Sequence, residues 1–379
     1  MTTIVKAADA ASFLSLVPRM LGYQPSRSLV MVPFEGTRSI GAMRFDLPDD
    51  PDDVDGFAAT AVGMVCRLPG ADAVAAVVCT DVRFDGGGMP HAGLFDALER
   101  RADESGLRMG DALCLAPDGW GSRFDAALPP GGRALTELDA VPPGTEDLEM
   151  VAGDQGSGAE LPATGLVEQE RVGRALIALT RAVGILNGSD DDDGTDGGGR
   201  VDPRALAAAC ALDDLPALFE DALSWPVDNL SPFDAATVAW CLDRPALRDV
   251  ALVQWAGTMA DGDTALEAQL RWESGEEYPG DLAMRMWGEG ERPDVARLAR
   301  ALELSRHVAA LAPRASRPGT LSLCAWLSWS LGRSTHADVY ASAACEIEPD
   351  HGLSEIVKSF VQAGHLPDWA FRPAGRKRR

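Results

Sequence analysis

Hydrophobic residues in the first 128 positions recur with two spacings, which predict alternating helices and strands. Apolar residues three and four apart predict an amphipathic helix over residues 10–21. An uninterrupted apolar run predicts a buried strand over residues 28–34, and the alternating segment SIGAMRFDL predicts a strand paired antiparallel with it. Two more helix–strand pairs follow, with the strands at ADAVAAVVCT and LRMGDALCLA. This order predicts an α/β domain over residues 1–128, with a mixed sheet flanked by helices.

The polar joint GYQPSRS between the first helix and the first strand has two interpretations, a ligand loop clamped by Arg27 or a structural corner. Gly22 suits the left-handed residue that follows a helix, and Pro25 prevents the helix from resuming. Because the joint follows the carboxyl end of a helix, exposed carbonyls there repel phosphate and favour a cation such as Arg27. The sequence therefore favours the structural corner.

The middle of the chain changes composition twice. Residues 129–164 are rich in Pro, Gly and acids, which predicts a linker or surface excursion with one short strand at residues 148–151. Residues 187–199, NGSDDDDGTDGGG, have nothing apolar to bury and predict a disordered loop. Calcium binding by the four aspartates is disfavoured, because the spacing and distal Glu of an EF-hand loop are absent.

The rest of the chain, residues 165–375, is predicted to be an all-α domain of helical hairpins, followed by a basic tail at residues 376–379. Ser231, Pro232 and Asp234 form a helix-start pattern. The strongest repeat-like pattern lies at residues 318–364, where small residues and a proline have the spacings of a tetratricopeptide unit. It covers one and a half repeats, so the sequence predicts a tetratricopeptide-like hairpin and not a full array.

Charge and cysteine usage exclude several classes of function. The formal charge of −24 disfavours nucleic-acid binding, because the surface would repel a phosphate backbone. The sequence has neither a membrane-spanning apolar stretch nor a secretory signal, so we expect a cytoplasmic protein that does not enter a membrane. Seven widely spaced cysteines and five histidines lack metal-ligand spacing, so we predict free thiols, no metal and no cofactor.

A candidate ligand site follows the two strands that are expected to be parallel. In such sheets ligands bind beyond the carboxyl ends of the strands. Asp81, Arg83 and Asp85 follow the strand ending at Thr80, and Trp120 follows the next strand. Glycines at 86–88 would admit a ligand to the backbone, although a flexible turn explains them better because no P-loop or dinucleotide motif is present.

A second candidate site is a partner-binding groove in the helical domain. Trp326, Trp329, His336 and Tyr340 fall within the tetratricopeptide-like segment and are the residues we would test there. Core packing is the alternative interpretation for each tryptophan.

Three blocks of sequence resemble one protein family. They are SLVPRMLGYQPSRSLVMVPFEGTRSIGAMRFDLP, LRDVAL and LSLCAWLSWSLGRSTHADVYASAACEIEPDHGLSEIVKSFVQAGHLP. Together they are similar to an actinobacterial family, domain of unknown function 4192, across almost the whole chain. The resemblance implies a cytoplasmic protein with an α/β part and a helical part, and no activity to carry over. Relatives have an Arg-Trp segment followed by cysteines; here DGWGSRFDAALPPGG keeps Trp120 without a cysteine, which leaves a metal role there unsupported.

Two functions follow as hypotheses from these observations. The leading one is a protein-interaction or scaffolding role for the helical half, with a protein as partner. The alternative is an enzyme or small-ligand sensor with a site near Asp81, Arg83 and Asp85, whose ligand and reaction class the sequence does not identify. A deep pocket at the sheet end would favour the alternative, and a groove between helices would favour the interaction role.

Overall fold

The computed structural model describes residues 7–48, 53–84, 88–139, 151–188 and 201–372. The chain divides into two compact units, Met1–Ser157 and Gly158–Arg379. The first is an α/β unit and the second is helical, so the predicted fold class is confirmed. Of the predicted linker at residues 129–164, the described residues up to Ser157 belong to the first unit and those from Gly158 to the second. Outside the described residues lie positions 148–150 of the strand predicted at 148–151, positions 189–199 of the loop predicted at 187–199, and the basic tail.

The α/β unit contains a mixed sheet of six strands. Strand order is β2-β1-β4-β5-β6, and β3 also pairs with β1. The β4–β5 pair is parallel, and β1 runs antiparallel to β2, β3 and β4. The predicted strand at SIGAMRFDL is interrupted around Gly41 and forms two short strands. The strands are β1 (Ser28–Glu35), β2 (Arg38–Ser39), β3 (Met43–Asp46), β4 (Ala73–Cys79), β5 (Arg108–Leu115) and β6 (Trp120–Ser122).

Helices cover both faces of this sheet, as the uninterrupted apolar run of β1 predicts. Alternate residues of β1 divide between the faces, so that Val30 and Val32 pack towards one side and Leu29 and Met31 towards the other. The first side is covered by α1 and the second by α2 and α3. These helices are α1 (Ala10–Leu21), α2 (Val54–Cys66) and α3 (Ala92–Glu104).

The joint between α1 and β1 has the contacts of a structural corner. Gly22 is left-handed, with φ 84°, and its N–H donates to Pro18 O at 2.8 Å. The side chain of Gln155 accepts from Ser26 N and donates to Ser26 O, both at 3.1 Å. Gln24 N donates to Gly153 O at 2.8 Å. A segment about 130 residues later in the chain therefore fixes this joint inside the α/β unit.

The second unit is built from helices α4 to α14. The predicted start at Ser231 is observed, since its side chain accepts from Asp234 N and caps α7. The helices are α4 (Leu166–Leu186), α5 (Pro203–Cys210), α6 (Leu215–Ala222), α7 (Pro232–Leu242), α8 (Pro245–Ala256), α9 (Met259–Glu273), α10 (Gly280–Met286), α11 (Val295–Leu311), α12 (Pro318–Ser330), α13 (Ser334–Cys345) and α14 (Gly352–Gln362).

Helices α12 and α13 form a hairpin that turns at Gly332, whose φ is 77°. Helix α14 packs against both of them. The turn between α12 and α13 therefore lies within the segment 318–364, as the sequence predicts. The similarity to a tetratricopeptide unit stays a prediction.

His351 gives the helical unit a pH-dependent stability. It is buried at the start of α14, where Nδ1 accepts from Ser354 N at 3.4 Å. Burial lowers the pKa of His351, and the nearby Arg248 lowers it further, while Glu348 and Asp243 act in the opposite direction. Because the pKa of His351 in the folded protein is below the ordinary histidine value of about 6.5, the unfolded chain binds this proton first as the pH falls.

We therefore expect the free energy of unfolding to decrease as the pH falls below about 6.5, and His351→Asn to reduce that decrease. Asparagine is also a good N-cap, so the variant keeps a cap at α14. Urea unfolding at about pH 7.5 and about pH 5.5 measures the difference. Equal losses of stability in the wild type and the variant would contradict the assignment to His351.

Candidate functional site

The carboxyl ends of the parallel strands β4 and β5 meet at one edge of the sheet. Thr80 follows β4 directly, and its N–H donates to Leu115 O, the last residue of β5, at 3.0 Å. The chain then passes through residues 81–91 into α3. This is the edge at which a crossover between parallel strands leaves room for a ligand.

The polar centre of this edge is a Thr80–His91 pair. Thr80 Oγ1 lies 2.8 Å from His91 Nε2 and accepts from Val82 N at 3.1 Å. His91 has φ 58° and ψ 31°, a left-handed conformation that is uncommon outside glycine. Burial lowers the pKa of His91, which favours the neutral imidazole. A neutral Nε2 can accept the hydroxyl proton of Thr80, so the pair can act as a hydrogen-bonded hydroxyl and base.

The predicted ligand residues are distributed differently around this edge. Asp81 is exposed, and the Nε of Arg83 lies 3.8 Å from an Asp118 carboxylate oxygen. The other oxygen of Asp118 accepts from Phe84 N at 3.1 Å, which ties the loop after β4 to the loop after β5. Asp85 lies outside the described residues.

The side chain of Trp120 packs on the α1 face of the sheet, while its backbone pairs with Leu115 at the end of β5. Its side chain is buried in the cluster that contains Leu14, Val77 and Leu113. The guanidinium of Arg133 is 6.0 Å from the centre of the indole.

Sequence reasoning missed Thr80, His91 and Asp118 as members of this edge. It treated Thr80 as the end of a strand, and it considered His91 only for metal spacing. The position of His91 at the start of a predicted helix was an available signal, because the start of a helix that follows a parallel strand lies near the carboxyl end of that strand.

A groove in the helical unit is lined by α4, by the end of α7 and by the turn into α8. It holds about 740 Å³. Its α4 wall consists of Leu176, Ile177, Thr180, Arg181, Gly184 and Ile185. Its opposite wall consists of Ala239, Trp240, Asp243 and Arg244. Apolar side chains thus line both walls, with charged groups beside them.

Helix α4 exposes large hydrophobic side chains beside this groove. Ile177 is 74% exposed, and Leu166 and Ile185 are exposed as well. Val172, Ala175 and Leu179 occupy the buried face of the same helix. Helix α4 therefore has several exposed apolar side chains, which alternate with exposed charged residues such as the Glu170–Arg174 pair.

Arg244 and Trp240 form a stacked pair in the wall of the groove. The Arg244 guanidinium carbon lies 3.4 Å from the centre of the indole, and Nη1 donates to Trp240 O at 2.6 Å. This is the geometry of a cation–π interaction. Burial lowers the pKa of Arg244, and the carboxylate of Asp243 opposes that shift.

The predicted partner-binding residues lie mostly in the core. Trp326, Trp329 and Tyr340 are buried, and His336 is half-buried. The indole of Trp326 donates to Met286 O at 2.9 Å, and that of Trp329 donates to His365 O at 2.7 Å. Burial of these side chains favours the alternative interpretation, core packing.

None of the described helices combines the length and apolar character that a membrane crossing requires. Nor do the described residues contain a cluster of three or more His, Cys, Asp or Glu side chains placed to hold a metal ion.

Comparison with known proteins identifies a family and no closer relative. No curated protein and no solved structure matches the chain. One family profile matches residues 11–368, which is nearly the full length. The chain therefore belongs to the family described as domain of unknown function DUF4192.

Proposed function

We propose that this chain is a protein-interaction module that binds an amphipathic helix of a partner protein in the groove between α4 and α7. The observation that carries the proposal is the set of exposed apolar side chains on α4, with Ile177 the most exposed of those that line the groove, and apolar side chains on both walls of that groove. Exposed apolar surface of this kind marks interaction sites in soluble proteins.

The length of α4 supports a helical occupant. Leu166 and Ile177 are eleven residues apart, which is about three helical turns, so they face the same side. Ile177 and Ile185, which both line the groove, are eight residues apart, or about 12 Å along the helix. Packing of an apolar helix face into a groove is an established mode of peptide recognition.

Ile177→Asp is expected to abolish partner binding while changing the free energy of unfolding by less than about 0.5 kcal/mol, because the side chain is exposed. The matched control is Leu270→Asp, which replaces a leucine that is 60% exposed on α9. A photo-crosslinking residue at 177, and separately at 270, would be introduced into the full chain in cells that produce it.

The expected result is reproducible cross-linking at 177 to an amphipathic helical segment of one partner, with little at 270. Introducing Leu270→Asp should leave the cross-link at 177 intact. Equal cross-linking at both positions, or none at 177, would exclude the groove as the partner site.

A second candidate function is small-ligand binding at the sheet end, and the specific observation in its favour is the Thr80–His91 pair with its strained histidine. A thermal-shift screen with nucleotides, sugar phosphates and acyl carriers tests it. If such a ligand raises the melting temperature, His91→Asn should remove the shift, since asparagine tolerates the left-handed backbone but is shorter. Asp81→Ala, at an exposed position, should remove less of it. An undiminished shift in His91→Asn would refute this assignment.

A further inference from the structure

The Thr80–His91 pair at the sheet end has the parts of a nucleophile and its base. This inference rests on the second candidate function, small-ligand binding at that site, and names a reaction there. Thr80 Oγ1 lies 2.8 Å from His91 Nε2. Thr80 is 9% exposed and His91 is half-buried, so the hydroxyl is largely shielded from water while the imidazole reaches the surface.

The hydrogen bonds of Thr80 orient its proton towards the base. A hydroxyl has one donor and two acceptor lone pairs, and one lone pair of Thr80 Oγ1 accepts from Val82 N at 3.1 Å. Burial lowers the pKa of His91, which favours the neutral imidazole, and in the tautomer protonated on Nδ1 its Nε2 accepts the hydroxyl proton. The second lone pair of Thr80 Oγ1 therefore remains for attack on an electrophile.

The first turn of α3 adds hydrogen-bond donors next to the base. Helix α3 begins directly after His91 and has no side-chain cap. Among the described residues, the N–H groups of Ala92 and Gly93 have no acceptor, and both residues are exposed. Backbone N–H groups at a helix start can stabilise the negative charge that develops on a carbonyl oxygen under attack. A nucleophile, a base and such donors are the parts that acyl transfer requires.

We propose that Thr80 and His91 catalyse hydrolysis of a carboxylic ester, with Thr80 as nucleophile and His91 as general base. The Thr80 oxygen bonds to the carbonyl carbon while its proton passes to His91 Nε2. The bond from the carbonyl carbon to the alcohol oxygen then breaks, and the alcohol leaves with that proton. Water attacks the acyl-threonine with His91 as base again, which releases the carboxylic acid and restores the hydroxyl.

Acetylation of the full chain by p-nitrophenyl acetate tests this reaction with a simple ester. Peptide mass spectrometry at early times should locate the acetyl group on Thr80. Thr80→Ser keeps a hydroxyl and should be acetylated at residue 80, whereas Thr80→Val keeps the volume of the side chain and should not be. The matched control is Thr60→Val, because Thr60 is exposed and its hydroxyl donates to the backbone carbonyl of Gly56 instead of a histidine. That variant should leave acetylation of Thr80 unchanged.

His91→Gly separates a base from a residue that only shapes the loop. Glycine suits the φ of 58° at this position, so the backbone can keep its conformation. The variant should acetylate Thr80 about a hundredfold more slowly, at the low end for general-base catalysis, because no described carboxylate bonds to His91 Nδ1. Added imidazole should restore part of the rate. The rate is measured as acetylated Thr80, since imidazole itself releases nitrophenol from the ester.

The outcomes separate this inference from the binding function on which it rests. Acetylation of other hydroxyls as fast as Thr80, or an unchanged rate in His91→Gly, would overturn the catalytic pair. A loss in His91→Gly that imidazole does not restore would overturn it as well. If a ligand still gives a thermal shift that His91→Asn removes, the site then binds without catalysis. If Thr80 is acetylated as expected and no screened ligand gives a shift, the catalytic pair stands and the screened ligand classes are wrong.

Discussion

Trp329→Ala is expected to lower the free energy of unfolding of the helical unit by about 3–5 kcal/mol, the range for removing a large aromatic side chain from a packed core. Trp329 is fully buried, and its ring centroid lies 4.8 Å from that of Phe360 and 6.5 Å from that of Trp369. The substitution also removes the donor to His365 O, leaving that carbonyl without its indole partner.

Urea unfolding followed by circular dichroism measures this loss, and the control is Trp272→Ala, since that tryptophan is 54% exposed on α9. Trp272→Ala should change stability by less than about 0.5 kcal/mol. The experiment also separates the two interpretations of Trp329. If Trp329 were a contact residue of a surface groove, Trp329→Ala would weaken partner binding with little loss of stability. That outcome would contradict the role of Trp329 as a core residue.

Gly319→Ala is expected to cost about 3 kcal/mol or more, because the added methyl group meets backbone and not a flexible side chain. A Cβ at this position would lie 2.1 Å from Leu242 O and 2.9 Å from the Cα of Asp243. The start of α12 therefore packs directly on the end of α7, and only a glycine allows that approach. Relief of the clash requires one helix to move.

The matched control is Gly352→Ala, where an added Cβ has no neighbour within 4 Å. Thermal unfolding of both variants should give a melting temperature lower by several degrees for Gly319→Ala and nearly unchanged for Gly352→Ala. Similar melting temperatures for the two variants would show that α7 and α12 can move apart at this contact with little loss of stability.

The Gly319 contact also connects stability to the proposed function. Asp243 and Trp240, which line the groove, belong to the same end of α7 that Gly319 touches. We expect Gly319→Ala to displace this wall, and so to reduce the photo-cross-linking at residue 177, whereas Gly352→Ala should leave it unchanged.

Local sequence patterns determined the elements and the fold class. The helix-start pattern at Ser231 predicted α7, and the apolar runs of β1, β4 and β5 predicted a sheet covered on both faces. These features follow from chemistry within a few residues, namely capping, backbone conformation and the periodicity of side chains. The three quoted blocks also identified the family over nearly the whole chain.

Tertiary packing decided which of these residues face a site. Helix α4 has apolar residues on several sides, including Val172, Ile177 and Leu179, so its periodicity cannot show that Ile177 is the one left exposed. The sequence likewise allowed Trp329 either a groove or the core, and only the helices around it determine its burial. The Thr80–His91 pair arises because the chain folds back after β4. Such contacts depend on where distant segments meet, which the sequence specifies only through the complete fold.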